Sequence, residues 1–464
     1  VSIQQPPSLD GATRAQAEAT DRTPLPAQLA KRDAIRLRDY KNALAFYEGD
    51  QWAGLPTSTF RRIIANYTQT TIDKTSSYVQ GGATVSIDPV NAADDAPARA
   101  AELALQELSD ANALEELDYD SEIDCAVLGD GCYRVTWDAA ENRVLIIAPD
   151  VAGVFPWPDP QDPTRFRRVA HRYQLSREDI FATWGVGATP AIETVIEDWT
   201  DLTHDVWIGE HLILSEANTY GFLPFVVYPN IRRPKRWWGR SDVDILKAVA
   251  QEINRELSAL SNLMELSGFP IATLSGVDDK TNVQAFPGAI WELPKDARAA
   301  ILDLLQGGAG EQHLNYLDKL KATLHDVSET PRTAFGGTEK DLSGVALEVD
   351  LQPLLQKVDR KRRIRRRVFA ERAGMALRIL DQFTASAHSQ AGRPVVSWAS
   401  PTPRDRQREA TIEGLLVGKN LTSIESSIER LGDPDPEKEL QRIESEIARG
   451  IRAPATVDSE STSV

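Results

Sequence analysis

SDVDILKAVAQEINRELSALSNLMELSG, residues 241–268, is the stretch whose reading decides the fold. Its apolar positions Ile245, Leu246, Val249, Ile253, Leu257, Leu260 and Met264 recur at helical spacing, which marks an amphipathic helix. Ser241 and Asp242 supply a capping signal at its start, and Gly268 and Pro270 stop it. Continuous from Ser241 to Ser267, such a helix is about 40 Å long. A rod of that length with one apolar face must bury the face against something. A second rod is predicted over Glu311–Val327, with Leu314, Leu317, Leu320, Leu324 and Val327 on one stripe. A third runs from Ser343 to Phe383 with Pro353 inside it, where a kink is expected.

Working outward, the insert Phe269–Gly308 reads as two strands, Ile271–Gly276 and Gly288–Pro294, and a short helix, Asp296–Gln306. The second and third rods are joined by SETPRTAFGGTEKDLSGVALEV, residues 328–349. Its glycines at 336, 337 and 344 predict a mobile polar loop. Upstream, Pro26–Tyr47, Ile63–Tyr78 and Ala92–Leu128 read as helices, the last broken near Asp110–Asn112. VSIDP (Val85–Pro89) reads as a strand. Between them and the first rod the period changes to that of strands: Cys132–Trp137, Arg143–Pro149, Arg167–Leu175, Val195–Asp201, Asp205–Leu214 and Phe222–Asn230. Downstream, Pro394–Trp398 has strand character, and Arg404–Gly450 reads as two or three short helices. The whole is α+β and predominantly helical. The two ends, 1–25 and 452–464, lack apolar patterning and read as disordered.

The 464 residues carry a net charge of −17, which argues against a general nucleic-acid binder. It is compatible with a protein that lets DNA slide past without holding it. Cys125 and Cys132 read as buried free thiols of a reducing compartment. No long apolar run predicts a membrane span, and the N-terminus does not read as a signal peptide. No P-loop is present; Lys74–Thr75 and Lys280–Thr281 lack the upstream glycines. The six histidines are scattered, with His204 and His211 near each other in a predicted hairpin. Neither a metal site nor a cofactor site is expected. Asp118, Asp120, Glu122 and Asp124 read as a solvated acidic helix face. The basic run KVDRKRRIRRRVFAERAG (Lys357–Gly374) stands out in so acidic a chain. Its arginines either pair with carboxylates of the same or a neighbouring subunit, contact DNA, or are simply solvated.

Several local patterns resemble portal proteins of tailed bacteriophages, of the kind related to the siphophage SPP1 portal. They are LAFYEGDQW (Leu44–Trp52), RRIIANYTQTTIDKTSSYVQGG (Arg61–Gly82), FLPFVVYPN followed by WGRSDVDILKAVAQEIN (Trp238–Asn254), and LSGVALEVDLQPLLQKV (Leu342–Val358). Their order and spacing across Leu44–Phe383 carry the likeness. The resemblance implies a structural, non-enzymatic protein: a ring, typically of twelve subunits, at one capsid vertex, through which genomic double-stranded DNA is packaged and ejected. It implies a wing (26–240), stem helices at 241–267 and 311–330, a clip at 268–310, a tunnel loop at 331–342, a long kinked wing helix and linker at 343–400, and a helical crown at 401–451. In the tunnel loop, Arg332, Thr333, Phe335, Gly336, Gly337, Glu339, Lys340 and Asp341 would line the DNA channel, in contact with DNA that is not sequence-specific. Arg360, Lys361, Arg363, Arg366 and Arg367 would make inter-subunit or DNA contacts. Asp278, Asp279, Lys280, Trp291 and Glu292 would form a docking surface on the clip. Implied partners are further copies of the chain, the terminase large subunit, a head-completion or adaptor protein, and the major capsid and scaffolding proteins, with no membrane. The implied location is the virion's portal vertex, and the host cytoplasm during assembly. Another minor capsid or scaffold protein, or a DNA-packaging enzyme, are the competing readings. Deleting Thr333–Glu339 is expected to spare assembly and impair packaging.

Overall fold

The computed structural model describes residues 25–56, 61–89, 95–162, 165–187, 190–268, 271–275, 296, 298–302, 308–336, 344–399, 406–419, 421–431 and 436–449. The fold is mixed α+β and divides into a large unit ending at Trp398 and a small one starting at Ala399. The expected N-terminal helix is two helices, α1 (Leu25–Lys31) and α2 (Ala34–Tyr47). Asp33 between them is left-handed, with φ 56°. The break lets Arg32 donate to the Pro156 carbonyl and Arg36 to those of Val151 and Val154. α3 (Tyr67–Gln80) begins later than expected. Its cap is Asn66, and the two N–H groups of Ile63 and Ala65 donate to Ser258 and Asn254 instead of entering a helix.

β1 (Ala83–Pro89) leads to α4 (Asp95–Ala111) and α5 (Leu114–Leu128). They part at left-handed Ala113, beside Asn112, whose side chain bonds the backbone at Leu108, Val144 and Ile146. Then come β2 (Asp130–Asp138), β3 (Arg143–Ile147), β4 (Val154–Pro158), β5 (Phe166–Ser176), α6 (Arg177–Trp184), β6 (Ile192–Thr200), β7 (Thr203–Ile208), β8 (His211–Ala217) and β9 (Phe225–Pro229). The strand expected over Asp205–Leu214 is split by a turn at Gly209, giving the β7–β8 hairpin. β4 and α6 were not foreseen; β4 is VFPWP, whose two prolines hide a strand.

Two antiparallel sheets result, ordered β3-β2-β9 and β4-β5-β6-β7-β8. The first packs Tyr133, Val135, Val226 and Tyr228 into a core with residues of α4 and with Val368, Phe369, Ala376 and Leu377. Those four belong to a later element. After β9 come α7 (Asp242–Gly268), β10 (Ile271–Ser275), β11 (Arg298–Leu302), α8 (Ala309–Ser328) and α9 (Gly344–Thr384). β11 corrects the short helix expected at Asp296–Gln306. RAAIL pairs antiparallel with β10, Ile271 opposite Leu302, and strand pairing overrides the helix propensity of its alanines and leucine. The strand expected at Gly288–Pro294 lies outside the described residues.

α9 spans 41 residues, with Pro353 inside it. β12 (Gly392–Trp398) then pairs with β1, residue for residue from Ala83 opposite Trp398, closing the large unit on its own beginning. The small unit holds α10 (Arg406–Gly418), α11 (Ile424–Arg430) and α12 (Pro436–Ala448). Glu413 accepts from Ser427 and pairs with Arg430. The expected disordered ends lie outside the described residues, apart from Leu25, which opens α1. No described helix is long and apolar enough to cross a membrane.

Candidate functional site

α7 and α8 run antiparallel, with Glu256 against His313 and Glu252 3.5 Å from Tyr316. The start of α7 is locked at a crowded junction. Gly239, Ser241 and Asp242 meet Gly129 and Asp130 at the end of α5 and Asn230 at the end of β9. A Cβ at Gly239 would sit 2.2 Å from the Gly129 carbonyl oxygen, so the WGRSD pattern requires a glycine there. Ser241 Oγ donates to the Val127 carbonyl at 2.5 Å and accepts the Val243 N–H at 3.0 Å, capping α7. Asp130 Oδ1 accepts the Gly239 N–H and its Oδ2 accepts the Tyr40 hydroxyl. Burial outweighs these bonds and pushes the Asp130 carboxyl up to about 7.

Along its first half, α7 buries Val243, Leu246, Ala250 and Ile253 against Ala43, Phe46, Ile72, Ala126, Leu317 and Leu324. A polar seam fixes another side. Asn254 donates to Gln51 at 2.5 Å, Gln51 to Asn66 at 2.7 Å, and Gln251 to the Gln51 carbonyl at 3.3 Å. The first half of the rod's apolar face is therefore buried against its own chain. The second half differs. Met264 and Leu266 at the end of α7, and Leu314 and Tyr316 near the start of α8, stay between 44 and 49 % exposed.

After α8 the chain makes a tight turn, Arg332–Phe335, ending at left-handed Gly336. Ala334 is buried and Phe335 half-buried among Val79, Leu351, Leu354 and Val358, with the Phe335 ring 5.7 Å from that of His325. Thr333 donates to Asp350. The expectation of a wholly projecting loop is thus corrected: its first part is packed, and Phe335 and Thr333 anchor it to α9. Arg332 is exposed. Gly337, Glu339, Lys340 and Asp341 lie outside the described residues, as do Asp278, Asp279, Lys280, Trp291 and Glu292.

On α9, of the five cations expected to make inter-subunit or DNA contacts, Lys361 is the one the structure corrects. Lys361 is fully buried, 2.8 Å from Asp242 and 3.3 Å from Glu122, so it is not a surface contact. Arg365 donates to Glu122 at 2.7 Å and to the Asn230 carbonyl at 3.1 Å. Arg362 donates to the carbonyls of Tyr78, Val79 and Gly81, which end α3. Arg372 pairs with Asp118. Two of the four acidic residues read as a solvated face, Asp118 and Glu122, are thus internal counter-ions; Asp120 and Asp124 are exposed. Burial opposes the Asp242 carboxylate, but Lys357 and Lys361 outweigh it and hold its pKa down to about 2. The outer arginines pair within the chain: Arg360 with Glu329, Arg363 with Asp359, Arg367 with Glu371. Arg366 stands 5.7 Å over Trp398.

A second buried network ties the two sheets together. Arg134 of β2 donates to Glu197 of β6 at 2.8 Å, and Tyr173 donates to the same carboxylate oxygen at 2.7 Å. His204 lies between Glu197, at 3.3 Å, and Glu216, at 3.1 Å, stacked on Trp199. It pairs across the hairpin with Glu216, whereas His211 lies opposite Ile208. No group of three or more His, Cys, Asp or Glu among the described residues could hold a metal ion. Cys125 and Cys132 are free and buried.

His171, 3.3 Å from the Arg134 guanidinium, and His204 respond oppositely to pH. Burial, and then Arg134, lower His171 to about 4. Between about 6.5 and 4 the unfolded chain binds a proton that the folded chain refuses, so stability is lost as pH falls through that window, by roughly 3 kcal/mol. His204 is raised, its carboxylates outweighing burial. Its contribution is complete below about 6.5 and is lost as pH rises through the folded value. Thermal midpoints across pH 4 to 8 check this: His171→Asn should flatten the acid side, and His204→Gln the neutral side.

Sequence reading missed two features. The Gln51–Asn66–Asn254 seam was signalled by Gln251, Asn254 and Ser258, polar residues at helical spacing on one side of an apolar rod. The other is IRRPKRWWGR, residues 231–240, a basic segment whose Arg232, Lys235, Arg236 and Arg240 are exposed. No curated protein matches the chain. The sequence profile described as phage portal protein, SPP1 Gp6-like, matches residues 28–453 of the 464. With nearly its whole length matched, including α7, α8, α9 and the junction that starts the first of them, the chain belongs to the SPP1 Gp6-like family of phage portal proteins.

Proposed function

We propose that copies of this portal protein close into a ring, typically of twelve, around an axial channel that genomic double-stranded DNA enters and leaves. The antiparallel α7–α8 pair acts as the stem. The segment 268–310, with the β10–β11 ribbon, is the clip, and its Asp278, Asp279, Lys280, Trp291 and Glu292 dock the terminase large subunit and later a head-completion or adaptor protein. Residues 26–240 and α9 form the wing, and the small unit forms the crown. The chain beyond Gly336, as far as Asp341, reaches the channel. Arg360, Arg363, Arg366 and Arg367 face a neighbouring copy or DNA. The protein performs no catalysis and sits at the capsid vertex, among the major capsid and scaffolding proteins.

The observation that carries this reading is the change of surface along the helix pair. Its first half is buried in its own chain, while Met264, Leu266, Leu314 and Tyr316 leave the second half apolar and exposed. A repeating heterologous contact between neighbouring pairs covers such a surface and closes a ring. The double substitution Met264→Glu, Leu314→Glu tests it. Light scattering should show loss of the assembly while circular dichroism shows an intact fold. Unchanged assembly would remove the stem from the interface.

A further inference from the structure

We infer that residues 232–240 form a second DNA-contacting surface, a preformed cationic loop that grips the phosphodiester backbone without regard to sequence. In a chain of net charge −17, this segment holds five cations and no carboxylate. Arg233 is paired with Asp244 at 2.7 Å. Arg232, Lys235, Arg236 and Arg240 are exposed, and no ion pair engages them among the described residues. The run that dominates the sequence, on α9, is the reverse case: all its cations but Arg366, which lies over Trp398, are buried or ion-paired within the chain.

The loop is built rather than loose. The Arg240 N–H donates to the Ile231 carbonyl at 2.9 Å, closing its base, and Asn230 holds the Arg240 carbonyl at 3.0 Å. Lys235 turns the chain with φ 60°. Trp237 packs edge-on to Phe166 at 5.1 Å, and the Arg36 guanidinium lies 4.0 Å over Trp238. Both tryptophans are thus used inward, as anchors. The outward side offers charge without an apolar centre. Protein interfaces gain most of their affinity from desolvated apolar and aromatic anchors, whereas a polyphosphate asks only for fixed cations, guanidinium best of all. That contrast favours DNA over an acidic protein surface.

The inference rests on the DNA-handling role and not on the ring arrangement, and its test separates the two. Full-length protein is titrated with a mixed-sequence duplex of about 30 base pairs over a range of salt, alongside a mass measurement on each sample. Each phosphate contact contributes a log–log salt slope of about 0.9. The variant Arg232→Gln, Lys235→Gln, Arg236→Gln, Arg240→Gln should bind at least about tenfold more weakly at low salt, with the slope reduced by roughly 3. A control, Lys41→Gln, Arg177→Gln, Arg393→Gln, Lys419→Gln, removes as many exposed positive charges elsewhere and should keep the slope. Equal losses in both variants, or none in either, would overturn the inference. So would polyglutamate competing as well as DNA, or loss of assembly along with DNA affinity. A single-chain protein that still showed the loop-dependent slope would uphold the inference while removing the ring.

Discussion

Replacing Glu122 with alanine is expected to cost the large unit about 3–5 kcal/mol of stability, the usual penalty for stranding a buried charge. Glu122 is fully buried and is the partner of both Lys361 and Arg365. Three cations, Lys357, Lys361 and Arg365, converge here on two carboxylates, Glu122 and Asp242. Removing one carboxylate leaves three buried positive charges facing a single negative one. The cost falls on the contact among α5, α7 and α9, where the rod is attached to the rest of its chain. Glu122→Gln separates charge from packing, since it keeps the volume and one acceptor. It should also destabilise, by less. Urea unfolding of the three proteins reads both effects, and a midpoint unmoved by either change would show that the network is not what joins these helices.

Deleting Gly337–Lys340 is expected to abolish DNA packaging, or retention of packaged DNA, while leaving stability and assembly intact. The wider deletion suggested by sequence, Thr333–Glu339, would not isolate this function. It removes Ala334 and Phe335, which pack on α3 and α9, and Thr333, which bonds Asp350. The packed turn ends at Gly336, whose backbone is left-handed, so a deletion that starts after it spares the anchor and removes only chain that the proposed function assigns to the channel. Phe335→Ala should behave in the opposite way, lowering stability by about 3 kcal/mol or less because the ring is only half-buried. Packaging assays set beside thermal melts distinguish the two variants. A destabilised 337–340 deletion would mean that the turn extends past Gly336.

The elements legible in the sequence were those with a strong local period. The rod at Asp242–Gly268 and the long α9 were fixed within a residue or two by their caps and apolar spacing. Elements that depend on distant partners were not. β11 is composed of helix formers and becomes a strand because β10 is beside it. The break at Asp33 follows from Arg32 and Arg36 reaching carbonyls more than a hundred residues away. The same limit misdirected the reading of charge. Lys361 and Glu122 are separated by 239 residues, and nothing local distinguishes a cation facing a buried carboxylate from one facing solvent. Of the readings the sequence leaves open for the basic run on α9, pairing with carboxylates of the same chain holds for Lys361, Arg365 and Arg372, and nothing local singles it out. The segment 231–240, which sequence reading passed over, carries its signal in composition: it has no carboxylate to neutralise its cations.

The central claim, that copies of this chain line up their helix pairs around a hollow axis, is tested most directly by the mass and electron-microscopic image of the purified full-length protein. The account predicts a closed ring with a central hole and a mass several times the 51.2 kDa of one chain. A well-folded species of 51.2 kDa under every condition that favours association would contradict it.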